Sequence, residues 1–298
     1  MQVKFANESR EDKIFDIFVT TIFIILLFLV LYPLYFIVIA SISNPDLVSA
    51  GKVLFLPKEI NFEAYKYILK DNRIWRGYMN TIQYTFFGTL FALFLTIPAG
   101  YALSRKDMKG KNFIMKYMVF TMYFGGGLIP KYLVIKGLGL IDTPFVLIFL
   151  GSFSVFNLII TRTYFISTIP IELQEAAEID GCSILRFFTS IVLPLSKSII
   201  AIMLLYYAVG HWNSFFNGLM YVKSDHLYPL QVILRDILIS GQNIQTESVD
   251  MEYVLEMERI SRTIRYGIII VSTLPVLLLY PFVQKHFVKG VMIGSIKG

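Results

Sequence analysis

Apolar and polar positions fall along this chain in long blocks rather than in the short periods of a soluble fold. Six apolar runs are long enough to cross a bilayer core, which takes about 20 helical residues. They cover about 14–41, 81–104, 113–134, 144–166, 188–210 and 266–282. Lipid offers no partner to a free N–H or C=O, so each run must be helical to satisfy its own backbone. The pattern predicts an all-α polytopic membrane protein with six transmembrane helices, read as a single domain over residues 1–298 with both termini on the same side. The first run is too long for the apolar part of a cleavable leader and lacks a small-residue cleavage site, so it reads as a retained anchor.

Three polar stretches interrupt the runs. Residues 44–80 contain Asn44-Pro45 and Leu56-Pro57, then Phe62, Tyr65, Ile68 and Leu69 at the spacing of one helical face. Residues 211–262 contain Asp250, Glu252, Glu256 and Glu258. The stretch over 170–187, between the fourth and fifth runs, is short and helix-prone. Pro170 suits a first helical turn. Glu172, Glu175 and Glu178 follow, and the first turns of a helix favour negative charge. Ala176 and Ala177 give a small-residue surface, Gly181 lets the chain turn, Arg186 lies near the far end, and Pro194 marks the return toward the membrane. Two short helices at an angle, projecting from the bilayer, are the expected result.

Composition agrees. Hydrophobic residues make up 56% of the chain and charged residues 16%, against about 25% charged in an ordinary soluble domain. The net charge of +6 comes with no basic stripe interleaved with aromatics, so it speaks for basic helix ends at a membrane rather than for nucleic acid. Lysine and arginine divide almost evenly between the two sides. The dense short cluster Arg105, Lys106, Lys109 and Lys111 decides the orientation, placing both termini and the 170–187 stretch in the cytoplasm.

Cys182 is the single cysteine, so an intrachain disulfide is excluded, and it reads as a small filler beside the turn. With His211, His226 and His286 scattered, no metal site is expected. Gly110-Lys111-Asn112 lacks the final hydroxyl and the glycine-rich loop of a nucleotide-binding motif. No nucleophile–base pair is evident, so the chain is not expected to be an enzyme or to bind a cofactor itself.

The polar stretch carries a spacing that resembles a known family. Glu175-Ala176-Ala177 is followed by Gly181, then Ile191 and Leu193-Pro194. This resembles the EAA motif of permease subunits in ATP-binding-cassette (ABC) importers. The likeness extends to Asn80-Thr81, Leu128-Ile129-Pro130, His211-Trp212-Asn213 and the tail from Phe287-Val288-Lys289-Gly290 to Ile296-Lys297-Gly298. The chain is similar to the second permease of the maltose transporter. Its GGGLIPKYLVIKGLGLIDTPF run and its ending look most like the branch importing alginate and pectin oligosaccharides.

That resemblance implies a type I importer permease fold with a cytoplasmic EAA coupling helix, in a multi-pass bacterial cell-membrane protein. The implied partners are a second, different permease, a homodimeric cytoplasmic ATPase that holds the ATP and Mg, an extracytoplasmic solute-binding protein and an oligosaccharide. The implied coupling contact comprises Glu175, Ala176, Ala177, Asp180 and Gly181, with Arg186 and Pro194 completing the region. The tail over 284–298, through Lys289, Gly290 and Gly294, is expected to reach the ATPase rather than fray.

Sugars are recognised by aromatic faces and by amide hydrogen bonds. Tyr84, Tyr123, Asn157, Tyr207, Trp212 and Asn213 are the candidates for a substrate path, with Gly126 in the Gly125–Gly127 run. The glycines either expose backbone to the path or allow close helix packing. For any single aromatic, bundle core or interfacial belt is the simpler role, whereas Asn157 at membrane depth should face the interior. Lys131, Lys136 and the six basic residues of 43–77 would suit an acidic saccharide or a docked binding protein, or offset the local acidic groups. The alternatives are an ion-gradient sugar transporter and a membrane enzyme acting on lipid-linked sugars. The first needs paired intramembrane acids or a repeat, the second a His/Asp/Glu cluster, and neither signal is evident.

Overall fold

The computed structural model describes residues 10–240, 263–278 and 281. Among these, the regular elements are all helical, and they group into two compact units. One comprises residues 10–70 with 237–240 and 263–271. The other comprises 71–236 with 272–278 and 281.

The first unit begins with α1 (Arg10–Ser41), whose apolar side chains are exposed along most of its length. Burial starts only at Ile39. Such a surface is stable against lipid and not against water. Near its end Tyr32 and Tyr35 donate their hydroxyls to the carbonyls of Leu54 and Phe55, at 3.2 and 2.5 Å. α2 (Pro45–Ser49) is capped by Asn44. α3 (Glu63–Lys70) shows the predicted amphipathic face only in part. Ile68 is fully buried and Tyr65 donates to Ser41 Oγ at 2.8 Å, but Phe62 and Leu69 stay exposed.

The second unit is built on α4 (Asn72–Ser104). At 1.5 Å per residue a helix of that length spans roughly 50 Å, well beyond a bilayer core of about 30 Å. It starts nine residues before the apolar run at Thr81, because Asp71 caps it by accepting from Arg73 N at 2.9 Å. Its inward stripe is Gly77, Thr81, Tyr84, Gly88, Ala92 and Thr96, while Phe86, Phe87, Leu90 and Phe94 point outward. Small and hydroxylated residues inside with phenylalanines outside is the membrane pattern. Helices there associate by close packing rather than by escape from water.

Three apolar runs do not form one straight helix each. The run over 113–134 divides into α5 (Lys111–Tyr123) and α6 (Leu128–Gly137), bent by 113°. Gly127 begins α6 at φ 81° and ψ 178°, a backbone open to glycine and almost nothing else. The run over 144–166 divides into α7 (Pro144–Phe149) and α8 (Val155–Thr168), where Ser154 restarts the helix by accepting from Asn157 N. The run over 188–210 divides as well: its first residues belong to a helical arm over Ile184–Leu195, which meets α12 (Lys197–Trp212) at 80°. α4 packs against both α8 and α12. α13 (Phe215–Tyr221), α14 (Leu230–Ser240) and α15 (Thr263–Leu278) follow. The acidic positions at 250–258 lie outside the described residues.

Candidate functional site

Between α8 and α12 the chain makes an exposed polar excursion. α9 (Ile171–Ile179) follows Pro170, and α10 (Ile184–Phe187) follows a four-residue turn. Gly181 sits at φ 70° with open space around it. Its N–H donates to Glu178 O at 3.0 Å, and Cys182 N–H donates to Ala177 O at 2.8 Å. This is a Schellman closure, which satisfies the last carbonyls of α9 and needs a left-handed residue at this point. Ser183 then caps α10 by accepting from Arg186 N.

The coupling residues singled out in the sequence divide between two surfaces. Glu175, Ala176, Asp180, Gly181 and Arg186 are exposed. Ala177 is buried, packed into the core that includes Phe165 and Phe187. Ala176 therefore faces outward on α9 while Ala177 seats the helix on the bundle. Cys182 packs against the same core. Around the turn three large apolar side chains are exposed, Ile179 at 86%, Ile184 at 58% and Leu185 at 72%.

Pro194 does not itself turn the chain. Phe188–Val192 forms a π turn, and helix continues as α11 (Leu193–Leu195). A π turn tolerates the missing N–H and the crowded ring of proline better than a regular i to i−4 ladder does. The 80° bend falls at Ser196, fully buried between the two pieces.

Beside α9 lies a cation that the sequence marked only as part of a charge cluster. Arg105 is buried, with its guanidinium on Asp107 at 2.6 and 2.9 Å and on Tyr101 Oη at 3.2 Å. Glu178 of α9 is 3.5 Å away. The hydrogen bonds to Asp107 raise the guanidinium's pKa further and lower that of the carboxyl. The signal was the i, i+4 pair Tyr101 and Arg105 followed by Asp107, visible in the sequence but mute about what it packs against.

The seven substrate-path candidates differ in burial and in what their polar tips bond. Tyr84 is buried and donates to Leu227 O at 3.0 Å. Tyr207 is buried with its hydroxyl 2.6 Å from Thr96 Oγ1. Trp212 is buried and donates to Ser272 O at 2.9 Å. Asn157 is buried in the first turn of α8. Tyr123 is exposed at the end of α5, Gly126 lies in the break before α6, and Asn213 is exposed and donates to Val209 O. His211 is buried against Gly88, its Nε2 3.4 Å from Ser152 Oγ. Lys289, Gly290 and Gly294 lie outside the described residues.

A second polar knot ties the other end of this unit. Asp142, at φ 60°, accepts from the backbone N–H of Lys223 and Ser224 and from Ser224 Oγ, at 2.9, 2.8 and 2.6 Å. Those bonds, that from the Ser224 hydroxyl first, hold its carboxyl at about 2. Asn80 donates to the carbonyls of His226 and Tyr228, and Thr81 accepts from Leu230 N.

No family model matches the chain. Individual proteins do. It is 37% identical over 288 residues to the polygalacturonan/rhamnogalacturonan transport system permease protein YtcP of Bacillus subtilis strain 168, covering 97% of this chain and 100% of that protein. It is 40% identical to Protein LplC of the same organism over 266 residues, 89% of each chain. Among solved structures it matches a chain of a bacterial ABC transporter involved in the import of the acidic polysaccharide alginate. The TM-score is 0.82 at 34% identity, covering 94% of this chain and 99% of that one. With long apolar helices among the described residues, an exposed α9–α10 arm and end-to-end likeness to these proteins, the chain belongs to the membrane permeases of carbohydrate-importing ABC transporters.

Proposed function

We propose that this chain forms half of a heterodimeric permease in an ATP-driven importer of acidic oligosaccharides, and that α9 couples it to a cytoplasmic ATPase. The observation that carries the coupling role is the Gly181 turn. It presents Glu175, Ala176 and Asp180 beside the exposed Ile179, Ile184 and Leu185, on an arm seated on the bundle by Ala177. Large apolar side chains in a polar stretch outside the spans are a docking surface in search of a partner. Support for an acidic saccharide comes from the alginate importer's likeness and from Lys131 and Lys136 on α6.

In this reading a second permease completes the path and a solute-binding protein delivers the sugar from outside. ATP binding in the partner closes the ATPase pair, draws the two coupling helices together, and tilts the bundle outward-open. Hydrolysis resets it. A ligand shifts such an equilibrium only by its differential affinity for the two states, so α9 must stay engaged in both. Rigidity of the arm follows from the Schellman turn and from Ala177. Both termini and the α9–α10 arm lie in the cytoplasm, and the chain binds neither ATP nor metal itself.

The test is purification of this chain from its native membrane in mild detergent, with mass spectrometry of what accompanies it. A second permease, an ATPase and a solute-binding protein are expected. Recovery of this chain alone, active in transport, would replace the proposal with the ion-gradient transporter.

A further inference from the structure

The ends of α4 and α8, the start of α5 and the first turn of α9 enclose a cavity of about 510 Å³. Four cations line it, Arg105, Lys106, Lys111 and Arg162, against a single carboxylate, Glu172. Two nearby carboxylates are already engaged, since Asp107 and Glu178 lie 2.6 and 3.5 Å from the Arg105 guanidinium.

Two of the cations are fixed by carbonyls and stand in no ion pair among the described residues. Lys111 Nζ donates to the carbonyls of Arg105 and Lys106, at 2.7 and 3.3 Å. Arg162 Nε donates to Leu103 O at 3.1 Å. A carbonyl holds the side chain but carries no net charge to cancel it. The two Nη groups of Arg162 and the Nζ of Lys106 have no carboxylate partner among the described residues. Positive charges held together in a walled space raise the local potential and attract an anion.

We propose that this cavity binds a phosphate group, that of an anionic phospholipid headgroup. The planar fork of Arg162 and the point charge of Lys106 suit phosphate oxygens. The apolar side chains of Phe165, Ile166 and Ile169, at the end of α8, share the lining. α4 and α8 are apolar helices that end here, so the cavity lies at headgroup depth, where basic pockets between helices take acidic lipids. Ile171, Glu172 and Gln174 form the α9 wall. A bound headgroup therefore bridges the bundle to the exposed arm. This rests on the membrane assignment and not on the ATPase-coupling role, so each can fail alone.

The experiment uses the chain with whatever subunits accompany it, placed in nanodiscs of phosphatidylcholine carrying graded phosphatidylglycerol. Native mass spectrometry then counts retained phosphatidylglycerol. The K106Q/R162Q double variant is expected to retain it about tenfold more weakly. Lys106→Glu alone, at an exposed position, should lower retention with an unchanged melting temperature, which separates loss of the site from misfolding. A parallel titration with inorganic phosphate in detergent identifies the source. Variant-sensitive phosphate binding with variant-insensitive lipid retention supports a phosphate site and overturns the lipid assignment. Wild-type and variant protein retaining lipid and binding phosphate equally overturns the proposal, as does carboxyl–amine crosslinking of Lys106 to an acidic segment of an accompanying subunit.

Discussion

Gly88 and Gly181 are the same residue doing opposite physical work. Gly88 lies inside α4, where an added Cβ would stand 2.5–2.7 Å from the ring atoms of His211. Its backbone is ordinary helix, and what matters is the missing atom, which lets α4 and α12 approach. Gly181 has nothing within 4 Å of an added Cβ and a φ of 70°. There the missing atom matters for the sign of the dihedral and not for space. The packed bundle thus depends on volume, while the projecting arm depends on backbone geometry. A substitution series should break the two in different ways.

The largest effect is expected in the bundle. Gly88→Leu should abolish stable folding, and Gly88→Ala should cost about 1–3 kcal/mol of overpacking, read as a lowered melting temperature in detergent. If Gly88→Ala melts like wild type, His211 moves freely and the close approach is not structural. Next comes the arm. Gly181→Val should cost about 1–2 kcal/mol at the turn, with membrane insertion and bundle melting close to wild type. Sugar-stimulated ATP hydrolysis by the assembled importer should fall severalfold. Normal transport by that variant removes the coupling role from the turn.

A smaller effect sharpens the picture inside the bundle. Tyr207→Phe leaves the Thr96 hydroxyl buried without its 2.6 Å partner. It should cost on the order of 1 kcal/mol, while sugar affinity stays unchanged, because the tyrosine tip is already spent on the protein. A large loss of affinity at unchanged stability would return Tyr207 to the substrate path.

The smallest effect concerns the Asp142 knot. Its folded pKa is depressed from the ordinary 3.8 to about 2, so the bonds to Ser224 and Lys223 are fully present above pH 3.8. They weaken as pH falls through that window and the carboxyl takes up a proton. Amide exchange at Lys223 and Ser224 should be flat from pH 7 to 4, after correction for intrinsic rates, and lose protection below. Ser224→Ala should shift the loss upward in pH. Protection that is indifferent to pH down to 2 would show that Asp142 does not hold these amides.

The sequence was legible where a local rule suffices. The apolar runs announced helices because an unbroken apolar run of about 20 residues can satisfy its own backbone in lipid only as a helix, and the spacing from Glu175 to Pro194 announced both the family and the arm. Gly181 was legible as a turn. Pro194 was not legible in its place, since whether a proline breaks a helix depends on the hydrogen-bond ladder around it, and here a π turn absorbs it. The triple glycine left two roles open, and the 113° bend at 124–127 settles the backbone without settling the path. Tyr84, Tyr207 and Trp212 were legible as aromatics with polar tips, but the partners of those tips, Leu227 O, Thr96 Oγ1 and Ser272 O, were not.

What the sequence determined by itself was helix, membrane and family, since each follows from period, hydropathy or motif read along one strand of chain. Only the tertiary structure decided which polar groups are already consumed, which alanine of the pair seats the arm, and that the basic cluster at 105–111 shares one cavity with the distant Arg162. Those outcomes depend on contacts between residues as far apart as Gly88 and His211, and the local pattern of neither residue contains the other.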